Sequence, residues 1–218
     1  MTEGKCRAHI YFFDQEDGKS TDRRLKQAVV HYCKACGIVL PSNEADLSEL
    51  LQVARAERGK PYFPNFPQLL FSISHSGSFW VCALAEEAIG IDLQEYVRLK
   101  GETVEEASNR FRKMSHRFFH SLEAEYVELD CYHNFFGVWT ARESYVKYTG
   151  QGIDQEFGEH CVVPVNKTEW QRLTGVSEAV SWMAQGVCFW QKTYPDNYTL
   201  CVCTKKPCNC TIHDFRKF

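Results

Sequence analysis

The chain has 218 residues, 44% of them hydrophobic, with 25 Lys and Arg against 28 Asp and Glu and a net charge of -3. That length and apolar content can fill one large domain or two small ones, and the balanced charge with 14% aromatic residues excludes wholesale disorder. The acidic balance argues against non-specific nucleic-acid binding. No apolar run approaches a membrane span, and MTEGKCRAHI lacks the apolar stretch of a signal peptide, so a cytoplasmic location is expected. Eleven cysteines, an odd number, fit reduced thiols in that compartment better than a disulfide framework.

Arg7 to Phe13 alternates Ala8, Ile10 and Phe12 with other residues and predicts a strand. After Ser20 or Thr21 as N-cap, Leu25, Ala28, Val29, Tyr32, Cys33 and Cys36 form a helical stripe that Gly37 closes. A second helix is expected to carry Leu47, Leu50, Leu51 and Ala54, with Gly59 past its end and Pro61 beyond. Strands follow at Leu69 to His75, Phe79 to Ala85 and Ile89 to Gln94. The polar stretch from Val97 to Asn109 is the best boundary between an N-terminal half, 1–100, and a C-terminal half, 101–218. Within it, Thr103 and Glu106 form a capping-box pattern ahead of Val104, Ala107, Phe111, Met114 and Phe118 at helical spacing. Further helices are expected from Ser121 to Leu129 and from Tyr132 to Tyr148. A hairpin from Val187 to Thr204 would turn at Pro195, Asp196 and Asn197. Helix mixed with mostly antiparallel strand in both halves makes the expected class α+β.

Alternate residues of a strand share a face. Ile89, Ile91 and Leu93 would enter the core and leave Gly90, Asp92 and Gln94 on the other side, where the plain reading is a solvated edge. Gly90 beside an acid and an amide tips the balance, because it lets another backbone approach. Trp139, Glu143 and Lys147 are four residues apart and line one helix face. Glu to Lys at that spacing is commonly a surface pair, but Phe136 and Trp139 put this pair at the margin of an apolar stripe. A partly desolvated Glu143 would have a raised pKa suited to a general base.

The stretch from Ser72 to Gly77, with Ser74 and His75, does not match a hydrolase triad and suits a phosphate-contacting turn better. Lys60 sits on the rigid turn Gly59-Lys60-Pro61, where a solvated loop charge is the plain reading. Lys19, Arg23, Arg24 and Lys26 cluster at the start of the first helix, a face that is either solvated or phosphate-binding. Cys201, Cys203, Cys208 and Cys210 could offer four thiolates to zinc, but strand alternation explains Cys201 and Cys203 as core residues.

Taken in order, GKPYFPNFP (59–67), FSISHSG (71–77), IGIDLQ (89–94) and WTARESYVKYTGQGI (139–153) resemble the surfactin-synthetase-activating type of 4'-phosphopantetheinyl transferase. RFFHSLEAEY (117–126) is similar to the stretch that precedes the family's last motif. The resemblance implies a pseudo-dimer of two similar α/β halves with mostly antiparallel sheets and the site at their interface. It implies transfer of the phosphopantetheine arm of coenzyme A to a serine of an apo acyl or peptidyl carrier protein, releasing adenosine 3',5'-bisphosphate. Asp92 and Glu143, with Gln94, would hold Mg²⁺; Glu143 would serve as base; Lys147 would stabilise the departing phosphate. Lys60, Ser74, His75, Lys147 and, more weakly, Arg24 match positions that contact coenzyme A. The resemblance implies a monomer, while the net charge and the lack of a long apolar run leave neither nucleic acid nor membrane expected as a partner.

Two departures stand out: Gln94 replaces a usual glutamate, and Arg142 stands where lysine is common. The alternatives are a weakened module that only binds coenzyme A or carrier protein, and a zinc-stabilised interaction protein.

Overall fold

The computed structural model describes residues 6–152, 159–173, 178–194 and 197–216. Its strands make two four-stranded sheets and a short hairpin. The first sheet has the order β10 (Cys208–Asp214), β1 (Cys6–Asp14), β5 (Phe79–Ala85) and β4 (Leu70–Ser76). The second runs β6 (Ile89–Glu95), β9 (Tyr198–Thr204), β8 (Val187–Tyr194) and β7 (Val180–Ala184). All pairs are antiparallel except β1 with β10, which run parallel from Cys6 opposite Cys208.

Each half of the chain supplies a hairpin, β4–β5 or β8–β9. The strand that follows, β6 or β10, crosses to the other half's sheet. The result is an α+β fold of two related halves. A boundary near residue 100 divides the chain but not the sheets, since each sheet takes a strand from both sides of it.

Alternation along the strands sorts the core into layers. Ile10 and Phe12 of β1, Val81 and Ala83 of β5, Ile89, Ile91 and Leu93 of β6, and Leu200 and Val202 of β9 fill the space between the sheets. Tyr11, Phe13, Trp80 and Leu84 face outward under α1 (Thr21–Cys36). On the far side, α3 (Val104–Phe118), α4 (Ser121–Glu128) and α5 (Cys131–Thr149) cover the second sheet, with Phe111, Phe135 and Phe136 packed over Phe189, Cys201 and Cys203.

The helix signals act as expected. Ser20 caps α1 by accepting from the Arg23 N–H, and Gly37 ends it at φ 71°. Thr103 and Glu106 close a capping box on α3. The second helix departs from expectation: α2 is only Glu44–Leu50. Beyond it, β2 (Ala54–Arg55) pairs with β3 (Pro61–Tyr62), because Gly59 at φ 87° permits the reversal that a helix through Ala54 could not make. The periodicity also missed β7, the short α6 (Trp170–Leu173) and the edge strand β10, whose alternating Cys208, Cys210 and Ile212 pack inward. Pro195 and Asp196 of the expected hairpin turn lie outside the described residues.

Cys201 and Cys203 enter the core beneath α5, whereas Cys208 and Cys210 belong to the core between the sheets. The two pairs therefore do not converge on one tetrahedral centre.

Candidate active site

The site forms where the edges of the two sheets meet. β4 and β6 are edge strands of different sheets, and three hydroxyls replace a backbone ladder between them. Ser72 Oγ accepts from the Ile91 N–H at 3.0 Å, Ser74 Oγ from Leu93 at 3.3 Å, and Ser76 Oγ from Glu95 at 3.0 Å. The Ser-x-Ser-x-Ser alternation thus satisfies two buried donors, at Ile91 and Leu93, that would otherwise cost about 1–3 kcal/mol each, and a half-buried one at Glu95.

The other face of β6 receives α5. A Cβ on Gly90 would lie 2.0 Å from the Ser144 carbonyl oxygen and 2.4 Å from the Tyr148 nitrogen, so only glycine lets the helix settle at this depth. That contact lays the Glu143 and Lys147 turn of α5 along the face bearing Asp92. Asp92 is 5% exposed. Its Oδ1 accepts from Lys147 Nζ at 2.6 Å and from Ser74 Oγ at 2.7 Å.

Burial pushes the Asp92 carboxyl above the usual carboxylate range, opposed by the Lys147 ammonium, the Ser74 hydroxyl and the Leu93 N–H. Glu143 is half-buried. Desolvation raises its pKa, the Asp92 charge raises it further, and Lys147 opposes both. Among the described residues Glu143 makes no hydrogen bond. Gln94, half-buried on the same strand face, donates from Nε2 to the Glu95 carbonyl at 3.1 Å.

A cavity of 270 Å³ opens beside Lys147. Arg55, Arg58, Lys60 and Lys147 line it, and no carboxylate does among the described residues. Lys60 Nζ donates to the Tyr148 carbonyl at 2.6 Å, and burial lowers the pKa of its ammonium. The hairpin of β2 and β3 thereby tethers to the end of α5, where Gly150 closes the helix at φ 72°. Arg55 and Arg58 escaped the sequence reading because that hairpin was expected to be helix.

The structure gathers Lys60, Ser74, Asp92, Gln94, Glu143 and Lys147 around the seam of the two sheets. Ser74 is buried and turned toward Asp92 rather than toward the cavity. His75 follows Ile73 on the opposite face of β4 and is exposed. Arg24 is not part of the assembly: its buried guanidinium donates to the Asp14 carbonyl at 3.0 Å, the Gln15 carbonyl at 2.8 Å and Asp17 at 2.6 Å. It ties the end of β1 to α1.

Arg142 points away from the site, into a buried pair with Glu123, and also donates to the His160 carbonyl at 2.9 Å. Glu123 in turn accepts from the Val162 N–H at 2.8 Å. The arginine before Glu143 therefore anchors α5 to α4 and to the segment after residue 159.

The sequence model of the 4'-phosphopantetheinyl transferase superfamily matches residues 88–203, an interval that holds Asp92, Gln94, Glu143 and Lys147. The chain belongs to this superfamily. It is 33% identical over 158 residues to a 4'-phosphopantetheinyl transferase of Bacillus subtilis, a match covering 68% of this chain and 58% of the relative. The Sfp transferase of Bacillus subtilis strain 168 is 30% identical over 149 residues, with the same coverage of each. The gsp transferase of Aneurinibacillus migulanus is 34% identical over 112 residues, or 49% of this chain and 41% of its own. The chain thus spans little more than half the length of the first two of these relatives. Among the described residues of this superfamily member, no helix is long and apolar enough to cross a membrane.

Proposed function

We propose that the chain transfers the 4'-phosphopantetheine arm of coenzyme A to a serine of an apo acyl or peptidyl carrier protein, with Mg²⁺ as cofactor, releasing adenosine 3',5'-bisphosphate. The observation that carries the reading is the placement of Glu143 and Lys147 over buried Asp92, beside a cavity walled by four cations. Such a cavity suits a chain of phosphates.

Among the described residues no three His, Cys, Asp or Glu side chains are gathered into a ready-made metal cluster. The donor set at the seam nonetheless fits a hard cation: two carboxylates close enough that the Asp92 charge raises the proton affinity of Glu143, and one amide oxygen. Asp92, Glu143 and Gln94 would hold Mg²⁺, which when bound would neutralise pyrophosphate charge and polarise the phosphorus under attack.

The chain's own residues account for the remaining chemistry. Arg55, Arg58 and Lys60 would seat the phosphates of coenzyme A. Glu143, whose raised proton affinity suits a base, would take the proton of the carrier serine directly or through one water. The serine oxygen then bonds to the phosphorus of the pantetheine phosphate as the bond to adenosine bisphosphate breaks. Lys147 would donate to that departing phosphate. The intact set of Asp92, Glu143 and Lys147 favours a working enzyme over a module that only binds.

The test is mass spectrometry of an apo carrier protein incubated with the chain, coenzyme A and Mg²⁺, with and without chelator. A metal-dependent gain of one phosphopantetheine arm on the carrier serine is expected. No gain on either fatty-acid or peptide carriers, with coenzyme A demonstrably bound, would favour the binding module.

A further inference from the structure

How the site is loaded follows from the position of Lys147, and the inference rests on the transfer reading above. Lys147 Nζ lies 2.6 Å from Asp92 Oδ1 and 3.0 Å from Ser74 Oγ. Ser74 has one proton to give and two lone pairs to offer. The proton goes to Asp92 at 2.7 Å, and the lone pairs receive Lys147 and the Leu93 N–H at 3.3 Å. The ammonium is therefore held by two groups against the carboxylate oxygen that a divalent cation would need.

Local charge gives this contact a consequence. In the ionised form that metal binding requires, Asp92 and Glu143 supply two negative charges, Lys147 one positive and Gln94 none, so the cradle is singly negative. A divalent cation alone would make it singly positive, next to a cavity already lined by Arg55, Arg58 and Lys60. A pyrophosphate arriving with the cation would restore a single negative charge and offer the ammonium new acceptors. A glutamate at position 94 would instead leave the cradle neutral with metal alone.

We propose that Lys147 keeps a divalent cation off Asp92 until the phosphates of coenzyme A draw the lysine away, so that metal and coenzyme A load as linked ligands. Gln94 tightens the linkage by withholding the charge that would let metal enter alone. Linkage is reciprocal, so metal also tightens coenzyme A.

The experiment measures Mn²⁺ binding to the full chain by the electron paramagnetic resonance of free Mn²⁺, with and without saturating coenzyme A. Mn²⁺ held by coenzyme A itself is subtracted. Wild type should bind Mn²⁺ about tenfold more tightly with coenzyme A, within the usual range of coupling between sites. Lys147→Met should bind Mn²⁺ alone about tenfold more tightly than wild type and lose most of the linkage. Gln94→Glu, which keeps the lysine, should shift in the same direction, so a folding defect in one variant does not decide the outcome. Thermal unfolding checks both.

Equal wild-type Mn²⁺ affinity with and without coenzyme A overturns the proposal, as does a folded Lys147→Met that gains none. Calorimetry of coenzyme A binding and the carrier mass gain are run on the same preparation. If both succeed while Mn²⁺ remains unlinked, only the loading inference fails. If neither coenzyme A binding nor transfer is seen, the functional reading fails with it.

Discussion

Single residues at the seam divide into those that touch the reacting groups and those that hold the frame. Glu143 belongs to the first set, because it is half-buried, hydrogen-bonded to nothing among the described residues, and adjacent to Asp92. Glu143→Gln preserves its shape but removes the base, so transfer should fall about 10²- to 10⁴-fold while coenzyme A binding is largely retained. Single-turnover transfer assays with parallel calorimetry check this, and wild-type turnover would refute the role. Asp17 belongs to the second set. Burial pushes its carboxyl up, but the Lys19 N–H and the Arg24 and Lys19 side chains outweigh that and hold it down at about 2. Its folded pKa is depressed, so its stabilising contribution is present above the unfolded value of about 3.9 and is lost as pH falls from there toward 2. Asp17→Asn should therefore lower the urea midpoint at pH 7, and the gap to wild type should narrow below pH 4. A pH-independent gap would show that the carboxylate charge contributes nothing. The basic cluster at the start of α1 was visible in the sequence, but its composition could not say whether Arg24 faced phosphate or backbone carbonyls. Burial among residues 14 to 17 decided that.

At the scale of elements, the site depends on α5 lying against β6 at one fixed depth. Caps at Asp130 and Gly150 define the helix, and Gly90 defines its distance from the strand. Gly90→Ala would set a methyl group against backbone atoms of Ser144 and Tyr148, neither of which can rotate aside as a side chain could. It should cost about 3 kcal/mol and displace Glu143 and Lys147 from Asp92. Denaturant titration and transfer assays on the same variant check both parts. A variant with unchanged stability and rate would show that the approach is not needed. The same logic governs the serine rungs of β4, where small hydroxyl side chains suit the meeting of two sheet edges. The motif around Ser74 was legible as a motif, yet its work as a seam between sheets was not, because hydroxyl contacts to backbone 19 residues further along leave no local mark. Arg142 is similar: in the sequence it is only a cation where lysine is common, and its burial with Glu123 shows a structural role.

The whole molecule is held together by exchange. β6 leaves the first half to pair with β9, and β10 leaves the second to pair with β1. Neither half carries a complete sheet, and Ile89, Ile91 and Leu93 fill a core whose opposite wall comes from both ends of the chain. A fragment of residues 1–100 should consequently fail to fold alone, giving no cooperative thermal transition by circular dichroism. Adding residues 101–218 should restore one. A cooperative transition in the first fragment by itself would contradict the exchange as a source of stability.

Local pattern was enough to place α1, α3, α5 and strands β1, β4, β5 and β6, since caps and periodicity act within a few residues of one another. It was enough as well to set Asp92 and Gln94 on one strand face, and Glu143 and Lys147 on one helix face. What those faces meet is a matter of distant chain. The bond from Lys147 to Asp92 joins residues 55 positions apart, and that from Lys60 to the Tyr148 carbonyl joins residues 88 apart. Only the folded packing of α5 on β6, permitted by Gly90 and secured by the serine seam, brings two unremarkable surface patterns together. Burial then does what sequence spacing cannot: it strips water from the carboxylates, raises their proton affinity and leaves one lysine to balance them.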